Sequence, residues 1–361
     1  MMAKPLSITL ETVTPVWTGG ADGKADRLHA TGIMGSLRWW YEALVRGVGG
    51  RVCNAGKPCI YAEKERYQGL CDVCRIFGAT GWTRRFKLIV ENGDLHSEQP
   101  SASTIDPKSG MLVFTLPEGS KWYLPAEPLV GSFTLSIVPT LPLKVTKLLS
   151  KGEEPEYLDA SVIGALVQFI ADRASLGAKP QLGLGIVSLR KRLSTQPLYQ
   201  HLEQLISLHE KNRDSRPFNE YDELPSLHNM FFASIKVEQA TELETFSLKY
   251  HMRHLDGPFG ERNLRHRIMG YVPQRGEREN REGAKILMSF PYDNTIRLWG
   301  WIPRRDNASP TRNDILDDIW AFLGKEYDEG SVPFWVDFAS STGSGKAVLA
   351  HFKKYLLEEA K

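Results

Sequence analysis

Residues 6–16, LSITLETVTPV, alternate apolar and polar side chains, which predicts a strand buried on one face. A Gly- and Asp-rich loop, WTGGADGKADRLHA, leads into ATGIMGSLRWWYEALVRG (30–47), where apolar residues recur at helical spacing. Strands are predicted in RRFKLIVENGD, GMLVFTL and GSFTLSIVPTL, and a helix over 159–177 with Asp159 or Ser161 as its N-cap. The loop KPQLGLGIVSL (179–189) then enters another strand. Strand, helix, strands, helix, strand is the order of the split βαβ, or ferredoxin-like, unit.

A second round follows. Residues 196–229 read as a helix and a polar, Pro-containing connection, FFASIKVE as a strand, and 260–275 as Arg-rich and partly helical. AKILMSFPY and TIRLWGWIP predict a hairpin around Asp293-Asn294. RNDILDDIWAFLG predicts a helix capped by Asn313 or Asp314, SVPFWVDFAS a strand, and VLAHFKKYLLEEA a final helix. The pattern therefore predicts an α+β chain of two ferredoxin-like (RRM-like, βαββαβ) domains packed together with glycine-rich loops. The first covers 1–205 and carries a cysteine-containing insertion, 206–228 connect, and 229–361 form the second. A length of 361 residues accommodates both.

The first helix poses a question of its own. At about 100° per residue, Ile33, Leu37, Trp40, Tyr41 and Leu44 share one face, while Gly35, Trp39, Glu42 and Arg46 share the opposite one beside Arg38. Trp40 is thus expected in the first domain's core and Trp39 outside it. A large aromatic outside the core needs a cover. Either a second domain or an unpaired base stacked on the ring, worth ~1–3 kcal/mol, supplies one. Thr31, Gly32, Gly35 and Ser36 leave the helix start open, with N–H groups and the positive dipole end available to a phosphate.

Charge changes this picture little overall and more locally. A formal net charge of +2 excludes a global polycation, so nucleic-acid binding would rest on patches. No apolar run approaches roughly 18 residues and the N-terminus shows no signal-peptide pattern, so a cytoplasmic protein with no membrane partner is expected. In CDVCRIFGATGWTRRFK (71–87), Arg75, Arg84, Arg85 and Lys87 interleave with Phe77, Trp82 and Phe86. That alternation suits a groove that tracks a backbone and stacks bases, or else an anchored surface turn.

Arg253, Arg262, Arg265, Arg267, Arg275, Arg278 and Arg281 form a guanidinium-dense stretch, partly neutralised by Glu261, Glu277, Glu279 and Glu282. His251, His254 and His266 belong to the same surface. STGSGKAVL (341–349) lacks both the first glycine and the Ser/Thr of a P-loop and reads as a second glycine-rich loop before a helix. The cysteines, Cys53, Cys59, Cys71 and Cys74, read C-x5-C-x11-C-x2-C. The last pair has zinc-knuckle spacing and the first is wider than usual, so reduced thiols without a metal or cofactor are expected, with a structural zinc on all four as the alternative. His29, near Asp22, Asp26 and Arg27, is the one candidate general base, able in principle to act on a ribose 2′-hydroxyl without metal.

Four stretches in order, LETVTPVWTGG, TGIMGSLRWW, CDVCRIFGATGW and GAKPQLGLGIV, resemble the RAMP proteins of CRISPR systems. Within them the resemblance is to the first-numbered RAMP subunit of the Cmr (type III-B) RNA-silencing complex, over most of residues 6–190. It implies two ferredoxin-like domains and a non-catalytic, RNA-contacting subunit of a ribonucleoprotein. Its partners would be guide RNA near the 3′ end, target RNA and other Cmr subunits, with no small-molecule substrate. No GGDD signature of the family's large subunit is present, and the nuclease histidine of guide-processing relatives maps only loosely, to His29. The motifs fall on Trp17, Gly19, Gly20, Gly35, Ser36, Arg38, Trp39, Arg75, Phe77, Gly78, Arg84, Arg85, Gly183 and Gly185; Arg46 joins them from the helix face. Together they predict a basic cleft between the domains, lined by the 30–47 helix start, the 75–87 segment and the 183–185 loop.

Overall fold

The computed structural model describes residues 4–20, 25–54, 57–61, 69–143, 156–212, 223–238, 240–254, 257–273, 281–303, 309–327, 331–338 and 344–357. The first strand, β1 (Leu6–Thr12), is followed by α1 (Ala30–Gly47), the short α2 (Asp72–Phe77) and β2 (Phe86–Glu91). Short strands β3 (His96–Ser97), β4 (Thr104–Ile105), β5 (Leu112–Thr115), β6 (Lys121–Leu124) and β7 (Leu129–Val130) precede β8 (Ser132–Pro139). Then come α3 (Ala160–Arg173), β9 (Val187–Leu189) and α4 (Gln196–Asn212). The remainder comprises β10 (Met230–Lys236), α5 (Glu242–Arg253), α6 (Arg262–Met269), β11 (Ile286–Met288), β12 (Thr295–Trp301), α7 (Arg312–Tyr327), β13 (Phe334–Asp337) and α8 (Gly345–Phe352). None of the described helices is long and apolar enough to cross a membrane.

Two four-stranded sheets organise this mixed α+β chain, in the orders β2-β8-β1-β9 and β11-β12-β10-β13. Every neighbouring pair in both is antiparallel. The expected GMLVFTL strand exists but joins a separate three-stranded sheet, β4-β5-β6, instead of the main one. The Asp293-Asn294 hairpin forms as predicted: both residues take positive φ, 47° and 54°, as a twist-compatible two-residue turn requires. Asp159 caps α3 by accepting from the Ser161 N–H at 2.9 Å. For α7 the capping residue is Thr311, not Asn313; Asp314 accepts back from the Thr311 N–H at 2.7 Å.

The second sheet is buried on both faces, which is why its strands read as near-continuous apolar runs. Ile235, Ile296 and Leu298 pack with Met252, Ile315 and Ile319 on one side. Phe232, Leu287, Trp299 and Val336 turn to the other side and join the core of α1, α3 and the first sheet. The largest core is thus shared by the two halves, and the predicted boundary at 205/206 falls inside α4 (Gln196–Asn212), whose Leu198, Leu202 and Ile206 are buried in that core. The final helix crosses over as well. Phe352 of α8 lies 5.2 Å from Phe169 of α3, and Lys346 pairs with Glu210 of α4 at 2.7 Å.

Candidate nucleic-acid interface

Where the second sheet meets α1 it leaves a cavity of about 330 Å³. Its walls are Gly32, Gly35, Ser36, Trp39 and Trp40 of α1, Ser175, Gly177, Ala178 and Pro180 of the loop after α3, and Leu287 and Trp299 of the second sheet. The volume stands at the lower end of the ~300–1,000 Å³ range of ligand pockets.

Local sequence explains each wall. His29 is the residue preceding α1, in extended conformation, but its side chain makes no capping hydrogen bond; Nε2 lies 3.0 Å from Asp26 Oδ1 instead. The first turn holds no acidic residue, so the positive end of α1 is not neutralised from within it. Gly35 is exposed, and Ser36 Oγ accepts from the Gly177 N–H at 3.2 Å, tying the loop to the helix. Trp40 is buried and donates from Nε1 to the Ser175 carbonyl at 3.3 Å. Trp39 is half-buried, edge-on to Trp40 (4.7 Å between ring centres) and to Trp301 (5.9 Å). Trp299 is fully buried, and among the described residues its Nε1–H has no acceptor. An aromatic wall beside an open helix start suits a planar heterocycle carrying a phosphate.

The structure brings together only part of what the sequence singled out. The Trp17–Gly20 loop reaches the same loop: the Trp17 carbonyl accepts from the Ala178 N–H at 2.9 Å, and Lys179 Nζ lies 5.5 Å over the Trp17 ring. Trp17 itself is buried, while Gly19 and Gly20 are half-buried. No lysine or arginine is among the lining residues of this cavity, whose walls are mostly apolar and aromatic.

Four of the five arginines have another task. Arg46 is buried and donates to the Pro225 carbonyl at 2.7 Å and to Glu42 at 3.0 Å. Arg38 donates to Glu42, to the Gly78 carbonyl and to Cys74 Sγ at 2.9, 3.0 and 3.3 Å. Arg85, also buried, stacks 3.5 Å over the Trp82 ring and donates to the Pro142 carbonyl. Arg75 pairs with Asp72 at 3.6 Å, and Arg84 is exposed on the same segment. The 75–87 segment therefore anchors itself to α1 from the cysteine side and contributes nothing to the cavity walls.

The glycine-rich loop is likewise a packing device. Gly183 and Gly185 are buried at φ 91° and 99°. The Gly183 carbonyl accepts from the Phe290 N–H at 2.8 Å, clasping the second sheet, and a Cβ at Gly183 would fall 2.4 Å from the Phe290 ring. In the Arg-rich stretch, Arg253 donates to the Met269 and Gly270 carbonyls, so its guanidinium is taken up within the fold, whereas Arg267 pairs with Glu223 in an exposed ion pair. Arg275 and Arg278, Asp22, and residues 341–343 of the glycine-rich 341–349 loop lie outside the described residues. Sequence reasoning missed Trp299, Leu287 and the 175–180 loop; the signal was the paired tryptophans of TIRLWGWIP, which no periodicity assigns to a partner surface.

Residues 9–188 match the family model of the RAMP superfamily. Among solved structures, the chain is similar to one in the cryo-EM structure of the Type III-B Cmr-beta bound to cognate target RNA and AMPPnP in the presence of ssDNA. The identity is 12%, the TM-score 0.41, and the match covers 90% of this chain and 100% of that one. A chain of Cmr-beta bound to cognate target RNA matches at 11% identity and TM-score 0.41, with the same coverages of 90% and 100%. Cmr1 from Pyrococcus furiosus, in its apo form, matches at 11% identity and TM-score 0.37, covering 88% of this chain and 96% of that one. No curated protein matches.

Proposed function

The chain belongs, through its N-terminal half, to the RAMP superfamily, and from that premise we propose that it is a non-catalytic RNA-binding subunit of a type III-B (Cmr) CRISPR effector ribonucleoprotein. It would contact the 3′ region of the guide, the target RNA or both, alongside other Cmr subunits. The observation that carries this reading is the cavity along α1, where the half-buried Trp39 ring lines a wall with Gly32, Gly35 and Ser36 on a helix whose start no side chain caps. A base stacked there would place its phosphate at the positive end of the helix. The two sheets share one strand order, which supports reading them as two ferredoxin-like domains, with the first extended through α4 and the second beginning near Asn229. RNA modules of related topology also stack bases on aromatics displayed by a four-stranded sheet.

The test is binding of an unstructured RNA to the full chain across a salt series. Affinity that falls with salt at a slope of about −0.7 per phosphate contact supports the reading. No binding at low salt overturns it. A second reading, metal-independent endoribonuclease, rests on the 3.0 Å contact of His29 with Asp26 at the same helix start. RNA incubated with the chain and excess chelator should stay intact; cleavage that disappears in His29→Ala would replace the non-catalytic reading.

A further inference from the structure

The four cysteines meet at one point. Cys53 follows α1, Cys59 stands on the next loop, and Cys71 and Cys74 bracket the start of α2. Their Sγ atoms all lie within 4.8 Å of one another, with Cys53 and Cys74 3.6 Å apart. Four sulfurs around one tetrahedral zinc, each about 2.3 Å from the ion, would be separated by about 3.8 Å. The cluster therefore stands within about 1 Å of closing on a single ion. All four thiols are free, and 3.6 Å is far beyond the ~2.05 Å of a disulfide.

The surroundings of the sulfurs fit thiolates better than thiols. The Cys71 N–H donates to Cys59 Sγ and the Cys74 N–H to Cys71 Sγ, both at 3.4 Å. The Arg38 guanidinium adds a charged donor to Cys74 Sγ at 3.3 Å. A neutral thiol is a weak acceptor, whereas a thiolate makes charge-assisted bonds of this kind. Four thiolates on a divalent ion leave a net charge of about −2, which these donors offset.

We propose that Cys53, Cys59, Cys71 and Cys74 hold one structural zinc ion, and that Arg38 donates to the Cys74 sulfur from outside the coordination shell. Four protein ligands close the tetrahedron and leave no position for substrate, so the site is structural and not catalytic. Its role follows from what it joins. The six-residue α2 is too short to persist alone, and the ion would pin it to the end of α1, where Tyr41 and Phe77 meet at 5.3 Å. The inference stands independently of RNA binding. Arg38, expected on sequence grounds to face RNA, acquires a metal-supporting task instead.

The full chain is produced in zinc-supplemented medium and purified under reducing conditions without chelator. Elemental analysis should find one zinc per chain, and a mercurial titration should release it as four thiols are blocked. Because loss of the ion can itself unfold the domain, a second readout uses wild-type protein stripped and reloaded with Co²⁺. Thiolate-to-cobalt charge transfer and visible bands of tetrahedral intensity are expected. Cys71→Ser/Cys74→Ser should abolish both signals, and Arg38→Met should weaken zinc affinity about tenfold or more while retaining stoichiometry. A zinc-free chain that takes up neither Zn²⁺ nor Co²⁺, iron in place of zinc, or a disulfide among these cysteines in the native protein would each overturn the assignment. An Arg38→Met chain with unchanged affinity would remove the arginine's part.

Discussion

Two glycine-to-alanine changes separate a glycine kept for packing from one that leaves space at a surface. At Gly183 the backbone φ is 91°, where an L-residue costs roughly 1–2 kcal/mol. The added methyl would fall 2.4 Å from Phe290 Cδ1 and 2.7 Å from Cε1. That ring has nowhere to go, since Phe114 and Phe246 hold it at 5.7 and 5.8 Å, and overpacking of this kind costs about 1–3 kcal/mol. Gly183→Ala should therefore destabilise the chain by about 2–5 kcal/mol. Gly35 lies inside α1, is exposed, and has no heavy atom within 4 Å of a built Cβ. Gly35→Ala should stabilise by about 0.5–1 kcal/mol through helix propensity. Urea unfolding followed in parallel by tryptophan fluorescence and far-UV circular dichroism measures both, as opposite shifts of the midpoint at constant slope. Midpoints within about 0.5 kcal/mol of wild type for Gly183→Ala would refute the clasp. RNA affinity then completes the comparison: Gly35→Ala should weaken binding although it stabilises the fold, because its methyl occupies the approach to the open helix start.

Trp39→Ala should lower affinity for an unstructured RNA about 5- to 150-fold, the worth of one stacked base, without changing the salt slope; fluorescence anisotropy at several salt concentrations measures both, and unchanged affinity in a folded variant removes the cavity from the RNA site. Burial, reinforced by the Arg253 charge, pulls the Lys249 amine down to about 7. An unfolded lysine titrates near ~10.4, so between about pH 7 and 10 the unfolded chain holds a proton the native chain lacks, and stability rises with pH across that window by up to about 5 kcal/mol. Lys249→Met should flatten the rise in urea midpoints, and a variant with the wild-type pH profile would refute the burial argument. Burial also holds the His201 imidazole down at about 4, against the opposing charge of Asp72, with its Nε2 2.6 Å from the Tyr41 hydroxyl. The native chain thus resists a proton that the unfolded chain takes up below about pH 6.5, and stability should fall by up to about 3 kcal/mol as pH drops from 6.5 to 4. His201→Gln should remove most of that loss while still reaching Tyr41, and an unchanged acid limb would count against it.

Local order was largely legible in the sequence. The amphipathic helix expected within 30–47 forms and takes in the small residues at its start as well, as Ala30–Gly47; the Asp293-Asn294 turn forms, and Trp40 is buried as its position on the wheel required. These follow from side-chain periodicity and from the few residues that accept positive φ, which are properties of neighbouring positions. The fates of Arg38, Arg46, Arg85 and Gly183 were not legible, because each is decided by a group far along the chain: Cys74, Pro225, Pro142 and Phe290. A guanidinium on a polar face looks the same in sequence whether it meets a phosphate or a carbonyl. A glycine looks the same whether it makes room for a ligand or for a phenyl ring. Sequence alone therefore determined many of the elements and, for the apolar positions of α1, the face they would bury. Only the tertiary structure decided which surfaces remain open, gathering four cysteines into one cluster and walling the helix start with Trp299 from the far half of the chain. Contacts across long sequence separations are set by how whole elements pack, and no local pattern encodes the partner.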